Sequence, residues 1–203
     1  MKTLLPSGAA KIFLAAFDPW PTAQCMSNFR TLLNILQAPR PHKFSLVEPV
    51  PFVHRELSIA ANIQLEVGHN AAYGDLMEII PPALRPLLQL LPDLNQMAGA
   101  ASPEMQHLMA IIIAFWRPGD YVLLERPQFN LPPYALSLLG DFLTKKEFTQ
   151  DVIIHGPRGL WENWADYVFW PLEGRPCLRA RGIPPPEEGH LEFENFPVAE
   201  VEI

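Results

Sequence analysis

Cysteine is scarce in this chain, which limits what can hold the fold together. The 203 residues include only Cys25 and Cys177, which are far apart in the sequence. A framework of several disulfides is therefore excluded, and stability must come from an apolar core. Two cysteines without a disulfide pattern are typical of a reducing compartment, so the sequence predicts a cytoplasmic protein.

Long uninterrupted apolar runs are also missing. Residues 1–10 contain a broken apolar run that is too short for a signal-peptide core. Residues 76–91 are interrupted by three prolines, and residues 105–116 fall short of the roughly 18 apolar residues of a membrane helix. We therefore predict no membrane segment.

Basic residues are outnumbered by acidic ones. The chain has 15 Lys and Arg against 22 Asp and Glu, for a net charge of -7. Nucleic-acid binding needs clustered Lys and Arg to neutralise phosphates, so this class of partner is excluded. The acidity suits a basic protein partner, or serves solubility alone.

The motifs of common enzymes are absent as well. No Gly-x-Gly pattern occurs, and no serine lies between glycines after a predicted strand. Phosphate-binding loops and nucleophile elbows depend on these patterns. We therefore predict no cofactor and favour a non-catalytic protein over an enzyme.

Apolar residues are abundant, at 49% of the chain. The segment 102–116 begins with Ser102, Pro103 and Glu104, which are a hydroxyl cap, a pre-bent first residue and a carboxylate near the positive helix end. From Met105 to Trp116, apolar residues cover most of the circumference of a helix. This pattern predicts a central helix buried in the core.

The remaining segments predict both strands and helices. Short apolar runs at residues 11–17, 44–47, 121–124 and 152–154 predict strands, and residues 167–170 predict an edge strand. Alternation from Leu57 to Val67 predicts a half-solvated antiparallel strand. Helices are predicted from residues 22, 75, 83, 103 and 134, and the segments 11–17, 22–37 and 44–47 read as a right-handed crossover unit.

The predicted fold class is α+β, with a mixed β-sheet of about four to five strands and helices packed around the central helix at 102–116. Residues 1–183 form a single domain. Residues 184–203 form a Pro- and Glu-rich segment whose last residues alternate apolar and acidic, so this segment is either a docked strand or a free tail.

Three groups of residues could carry a function. Cys25 lies in the first turn of the predicted helix at 22–37, where backbone amides stabilise a thiolate, although a buried structural cysteine is the simpler interpretation. Glu104 and His107 have the Glu-x-x-His spacing of metal sites in helical bundles, but such sites also need two further carboxylates, and the remaining histidines lie scattered in or near predicted loops. We therefore predict no metal.

The third group is an aromatic segment near residue 165. Tryptophan and tyrosine dominate protein interfaces, and the segment also carries an acidic side chain. We predict that it is a binding surface, with covering of the core as the alternative. Its predicted binding residues are Trp161, Trp164, Asp166, Tyr167 and Trp170.

Taken together, these patterns predict a non-catalytic cytoplasmic protein-binding module that recognises a protein partner through an acidic and aromatic surface. Adaptors, chaperone-like proteins and toxin-neutralising immunity proteins are of this kind. The alternative is an enzyme of unknown class that uses the Cys25 thiol or a site at Glu104 and His107.

Overall fold

A computed structural model describes residues 10–16, 43–68, 76–172 and 175–181. The described residues form a six-stranded sheet in the order β2-β3-β4-β1-β5-β6. The first five strands in this order pair in parallel, and β6 runs antiparallel to β5. The strands are β1 (Ile12–Ala16), β2 (Phe44–Val47), β3 (Tyr121–Glu125), β4 (Asp151–Gly156), β5 (Tyr167–Leu172) and β6 (Arg175–Ala180).

The predicted α+β class is wrong, because a parallel sheet with helices packed on it is an α/β fold. The sequence agrees with this architecture once the sheet is known. Residues 122–124 of β3 and 152–154 of β4 are buried without interruption, as expected for strands that are covered on both faces. A large apolar cluster covers one face of the sheet, and a smaller one around Phe13, Tyr121 and Ile153 covers the other.

Six α-helices occur in the described part of the chain. They are α1 (Ile59–Glu66), α2 (Leu76–Ile79), α3 (Arg85–Leu88), α4 (Pro103–Trp116), α5 (Pro133–Lys145) and α6 (Arg158–Trp161). None of them is long and apolar enough to cross a membrane. The single predicted helix from residue 83 is instead a 3₁₀ turn at Pro82–Leu84 followed by the one-turn helix α3.

The central helix is confirmed at α4. The Ser102 hydroxyl accepts a hydrogen bond from the Met105 backbone amide at 3.3 Å, as a helix cap should. Buried side chains face several directions, including Leu108, Met109, Ile111 and Ile112. The helix packs against β2, β3 and α1, so it lies inside the larger apolar cluster.

The predicted strand from Leu57 to Val67 is wrong, because this segment forms α1. Ser58 caps the helix by accepting a hydrogen bond from the Ala61 amide at 3.1 Å. The residues that become buried are Ile59, Asn62 and Ile63, which have helical rather than alternating spacing. The buried Asn62 amide group donates to three backbone carbonyls, of His54, Leu57 and Ser58, which anchors the helix start.

The strands at residues 11–17, 44–47, 121–124 and 152–154 are confirmed as β1 to β4. The strand at 167–170 exists, but it lies inside the sheet because β6, which was not predicted, pairs with its outer side. Strands β1 and β2 are not neighbours, since β3 and β4 lie between them. The predicted helix at 22–37, Cys25 and the segment 184–203 lie outside the described residues.

Candidate functional site at the carboxyl edge of the sheet

The carboxyl ends of the parallel strands form the first candidate site, because open α/β sheets bind ligands there. The strand register aligns these ends. Val47 of β2 pairs with Leu124 of β3, Glu125 pairs with His155 of β4, and Gly156 pairs with Ala16 of β1. The side chains that follow these residues are therefore brought to one edge, which we call the carboxyl edge.

Arg126 shapes the chain directly after β3. Its backbone is left-handed, with φ of 50°, and its amide donates a 2.8 Å hydrogen bond to the His155 carbonyl. The chain then makes a 3₁₀ turn at Pro127–Phe129. This turn places the Phe129 ring 5.8 Å from the Arg126 guanidinium carbon, and the ring is 63% exposed. The exposed Phe129 ring thus lies beside the half-buried Arg126 side chain at this edge.

Trp161 lies beneath this turn and is completely buried. Its indole nitrogen donates to the Gln128 side-chain carbonyl at 3.3 Å. Gly156, at the end of β4, makes room for the ring, since a Cβ atom at that position would lie 2.6 Å from a Trp161 ring carbon. Trp161 therefore supports the carboxyl edge from inside.

His155 is the buried titratable group of this edge, with 1% of its surface exposed. Burial lowers its pKa from 6.5 to about 4, and the nearby Arg126 charge lowers it further in the same direction. The imidazole is consequently neutral at pH 7. A neutral, enclosed histidine fits a structural role at the end of β4 better than proton transfer to a bound substrate.

The start of α4 contributes the pair predicted as an alternative site, and its two side chains have different surroundings. His107 is fully buried, and burial lowers its pKa to about 4, although the Glu48 backbone opposes this shift. Neither ring nitrogen has a hydrogen bond of normal geometry. Glu104 instead accepts a 2.7 Å hydrogen bond from the Tyr134 hydroxyl, which together with burial raises the Tyr134 pKa. Within the described ranges, no group of three or more metal-ligating side chains occurs.

Exposed apolar side chains occur on the segments that follow β2 and β3 and at the start of α5. Phe52 follows β2, Phe129 follows β3, and Tyr134 begins α5; their exposed fractions are 79%, 63% and 56%. The Asn130 side-chain amide donates to the Pro49 carbonyl and so joins the segments that follow β2 and β3.

The Phe52 ring packs edge-on against the His54 ring, with centroids 5.0 Å apart, and His54 contacts Glu66 at the end of α1, so Phe52 lies apart from this edge. We call Phe129 and Tyr134 the aromatic surface.

The aromatic segment predicted as a binding surface is mostly tied into the fold. Trp161 is completely buried and so cannot be part of an exposed binding surface. Trp164 is half-buried against Trp161 and Gly140, and the Tyr167 ring stacks on Phe13 with centroids 5.4 Å apart. Asp166 binds the Ile12 amide at 2.9 Å and the Lys146 ammonium group at 2.7 Å. Trp170 belongs to β5.

Sequence reasoning missed Arg126, Gln128, Phe129 and His155. A usable signal existed, because each apolar run that forms β3 and β4 ends in a polar residue, Glu125 and His155. Polar residues at the carboxyl ends of buried strands indicate the functional edge of an α/β sheet. The signal was lost because the sheet was expected to be mixed.

Comparison with known proteins agrees with this fold. No protein-family model matches the chain, and no curated protein matches it. Among solved structures, an ATP-binding subunit of an ABC transporter shares 16% identity with a TM-score of 0.60, over 83% of this chain and 78% of that chain. A metal-chelate type ABC transporter in an inward-facing conformation shares 13% identity with a TM-score of 0.58, over 85% of this chain and 72% of that one. At these identities the likeness establishes the fold alone.

Proposed function

We propose that this protein is a non-catalytic cytoplasmic module that binds a protein partner, built on the fold of an ATP-binding subunit. The partner contacts the carboxyl edge through the aromatic surface. The net charge of -7 favours a partner that is basic. The binding residues proposed from the sequence move accordingly, from the segment around Trp161 to the exposed rings of Phe129 and Tyr134.

The observation that carries this proposal is the sequence that follows β1. Phosphate-binding loops of P-loop ATPases use glycines to bring backbone amides close to the phosphates, and a lysine to neutralise charge. Residues 17–22 of this chain are Phe, Asp, Pro, Trp, Pro and Thr. They include neither glycine nor lysine, and the aspartate would repel a phosphate.

The chemistry of the aromatic surface supports the proposal that a protein partner binds there. Exposed aromatic rings and arginine are enriched in the centres of protein interfaces, because they bury a large area at a small cost in conformational entropy. Phe129 stacked beside Arg126 has this character. The Glu104 carboxylate, which accepts a hydrogen bond from the Tyr134 hydroxyl, adds an acidic group beside this ring.

The absence of nucleotide binding is tested by titrating the full chain with Mg²⁺-ATP in a calorimeter. We expect no binding heat up to millimolar nucleotide, whereas a P-loop ATPase measured in the same way binds. Saturable binding of ATP would contradict the proposal, because it would show that this chain binds nucleotide as the ATP-binding subunit of similar fold does.

Binding of a protein partner is tested by co-purification from the native host with Phe129→Ser and Tyr134→Ser variants. Leu65→Ser is the matched control, because Leu65 is exposed to a similar extent, 56%, in the last turn of α1. We expect the same protein to be captured by the wild type and the control but lost with both aromatic variants. Equal capture by all four proteins would exclude the aromatic surface.

A further inference from the structure

The loop that joins β2 to α1 carries the two most exposed large apolar side chains among the described residues. They are Val50 and Phe52, whose exposed fractions are 83% and 79%. One residue separates them, so their Cα atoms lie at most about 7 Å apart. Apolar side chains that are exposed singly are ordinary, whereas neighbouring ones that stay in water mark an interaction surface. We call residues 48–52 the apolar loop.

Side chains from two other segments hold the backbone of this loop. The Asn130 side-chain amide donates a hydrogen bond to the Pro49 carbonyl. After the loop, the His54 amide donates to the Asn62 side-chain oxygen at 2.8 Å, and the Asn62 amide group donates back to the His54 carbonyl at 3.0 Å. The loop is thus fixed at both ends before a partner binds. A preorganised segment loses little conformational entropy on binding, which favours affinity.

The Phe52 ring is also held by neighbouring side chains. Its edge-on contact with the His54 ring is supported by a series of polar contacts. The His54 Nε2 atom lies 3.1 Å from a Glu66 carboxylate oxygen, and the same carboxylate group accepts a hydrogen bond from the Arg117 guanidinium group. These contacts favour a ring that stays exposed. Its exposure costs free energy in the isolated protein, and this free energy is recovered when another molecule covers the ring.

Charge indicates which kind of molecule covers the loop. Glu48 begins the loop, is exposed, and has no ion-pair partner among the described residues. A second copy of this chain is disfavoured, because each copy carries a net charge of -7. A Lys or Arg at the rim of an apolar groove on a different protein would complement both the carboxylate and the apolar side chains.

We propose that the apolar loop docks into an apolar groove of a different protein, with Val50 and Phe52 in the groove and a basic side chain of that protein beside Glu48. This surface is separate from the aromatic surface, because Phe52 is tied to the end of α1 through His54 and Glu66. The proposal therefore goes beyond the contact proposed at the carboxyl edge, and it stands whether or not that edge binds a partner.

The test places the photocrosslinking amino acid p-benzoylphenylalanine at position 50 of the full chain, which is expressed in its native host. Ultraviolet light joins this side chain to the molecule that lies against it, and mass spectrometry identifies the attached protein and the attached residue. We expect one protein, joined at a residue that lines an apolar groove with Lys or Arg at its rim. The matched control carries the same amino acid in place of Asp141, which is exposed on α5, and should not attach to that protein.

A charge variant tests the role of Glu48 in the same assay. Glu48→Lys places like charges together, so the yield of the adduct at position 50 should fall at least about tenfold. Glu147→Lys is the matched control, because Glu147 is exposed just after α5 and the substitution changes the net charge by the same amount. We expect this control to leave the yield unchanged. Both variants should melt at the wild-type temperature, so that the yields report binding and not folding.

Three outcomes would overturn the proposal. An adduct between two copies of this chain would show that self-association, and not a different protein, covers the loop. A missing adduct at position 50 would show that nothing docks there, and equal yields from the two lysine variants would show that Glu48 meets no basic side chain. The adduct should form equally in a Phe129→Ser background, so a failure at the carboxyl edge and a failure at this loop are distinguishable.

Discussion

The two edges of the sheet are built from different chemistry. At the amino edge, carboxylates join neighbouring parallel strands: Asp120 accepts from the Lys43 amide at 2.8 Å, Asp151 from the Lys11 amide at 2.7 Å, and Asp166 from the Ile12 amide at 2.9 Å. The aspartate stands at the start of one strand, and the amide at the start of its neighbour. Backbone donors that would otherwise end the ladder unpaired are thereby satisfied.

The carboxyl edge has the opposite organisation. Its enclosed titratable groups are the neutral histidines His107 and His155, and its outer surface carries the aromatic rings. One edge therefore holds the strands in register, while the other carries the surface that we propose binds a partner. Substitutions at the amino edge should therefore change stability, and substitutions on the outer carboxyl edge should change binding.

The largest expected effect comes from acid, which should destabilise the carboxyl edge. Both histidines have a pKa of about 4 in the folded chain, against 6.5 when unfolded. The unfolded chain takes up protons first, so the free energy of unfolding falls as the pH drops from about 6.5 to about 4. The loss is about 3 kcal/mol for each histidine. Urea unfolding at pH 7 and pH 4 measures it.

A His107→Gln variant isolates this contribution. Asp151 titrates in the opposite sense, because burial raises its pKa, so the total pH profile mixes several groups. Subtracting the pH profile of the variant from that of the wild type removes the contributions of the other titrating groups, which both proteins share. We expect the variant to lose about 3 kcal/mol less than the wild type between the two pH values. Identical pH profiles would contradict the burial argument for His107.

The next largest effect is expected at the amino edge. An Asp166→Ala variant leaves the Ile12 amide and the Lys146 ammonium group without their carboxylate, which should cost about 2–3 kcal/mol in urea unfolding. Asp141→Ala is the control, because Asp141 is exposed on α5, and we expect a change below about 0.5 kcal/mol. If both variants were equally stable, Asp166 would not hold β1 and β5 together.

A smaller effect tests the support beneath the carboxyl edge. A Gly156→Ala change forces a methyl group against the Trp161 ring and should destabilise the fold by about 2 kcal/mol. Gly159→Ala, three residues later in α6, meets no atom within 4 Å. It should be neutral or stabilise by up to about 1 kcal/mol. Thermal unfolding of both variants checks this, and equal melting temperatures would show that Trp161 moves freely.

The smallest effect concerns the surface ion pair of α6. The Arg158 guanidinium donates to Glu162 at 2.6 and 2.8 Å, and this hydrogen bonding lowers the Glu162 pKa. An Arg158→Gln variant should lose only about 0.5 kcal/mol, because solvent screens the pair. The loss should vanish in 1 M salt. A salt-independent loss would point to packing of the arginine stem instead.

The sequence revealed the apolar strands and the central helix, but not their arrangement. The buried runs of β1, β3 and β4 are recognisable by composition alone. Their order in the sheet is set by contacts between residues distant in sequence, such as Glu125 with His155, which periodicity does not report. The prediction of a strand at 57–67 was wrong for a different reason. Ile59 and Ile63 fit both a strand and a helix period, and the capping by Ser58 decides between them.

The candidate site was predictable only in part. An aromatic interaction surface was expected, but composition does not distinguish a ring that fills space from one that faces water. Trp161 is interior because Gly156, five residues earlier, leaves room for its ring. Phe129 is exposed because Arg126 turns the chain outward with a left-handed backbone.

The short strand β2 has a consequence for self-association. Only four residues pair with β3, and among the described residues no strand lies on its other side. Another chain that paired with β2 could not extend the ladder past Pro49 and Pro51, because proline has no amide hydrogen to donate. Fibril growth by strand addition is thus discouraged at this rim, even though Leu46 is half exposed on it.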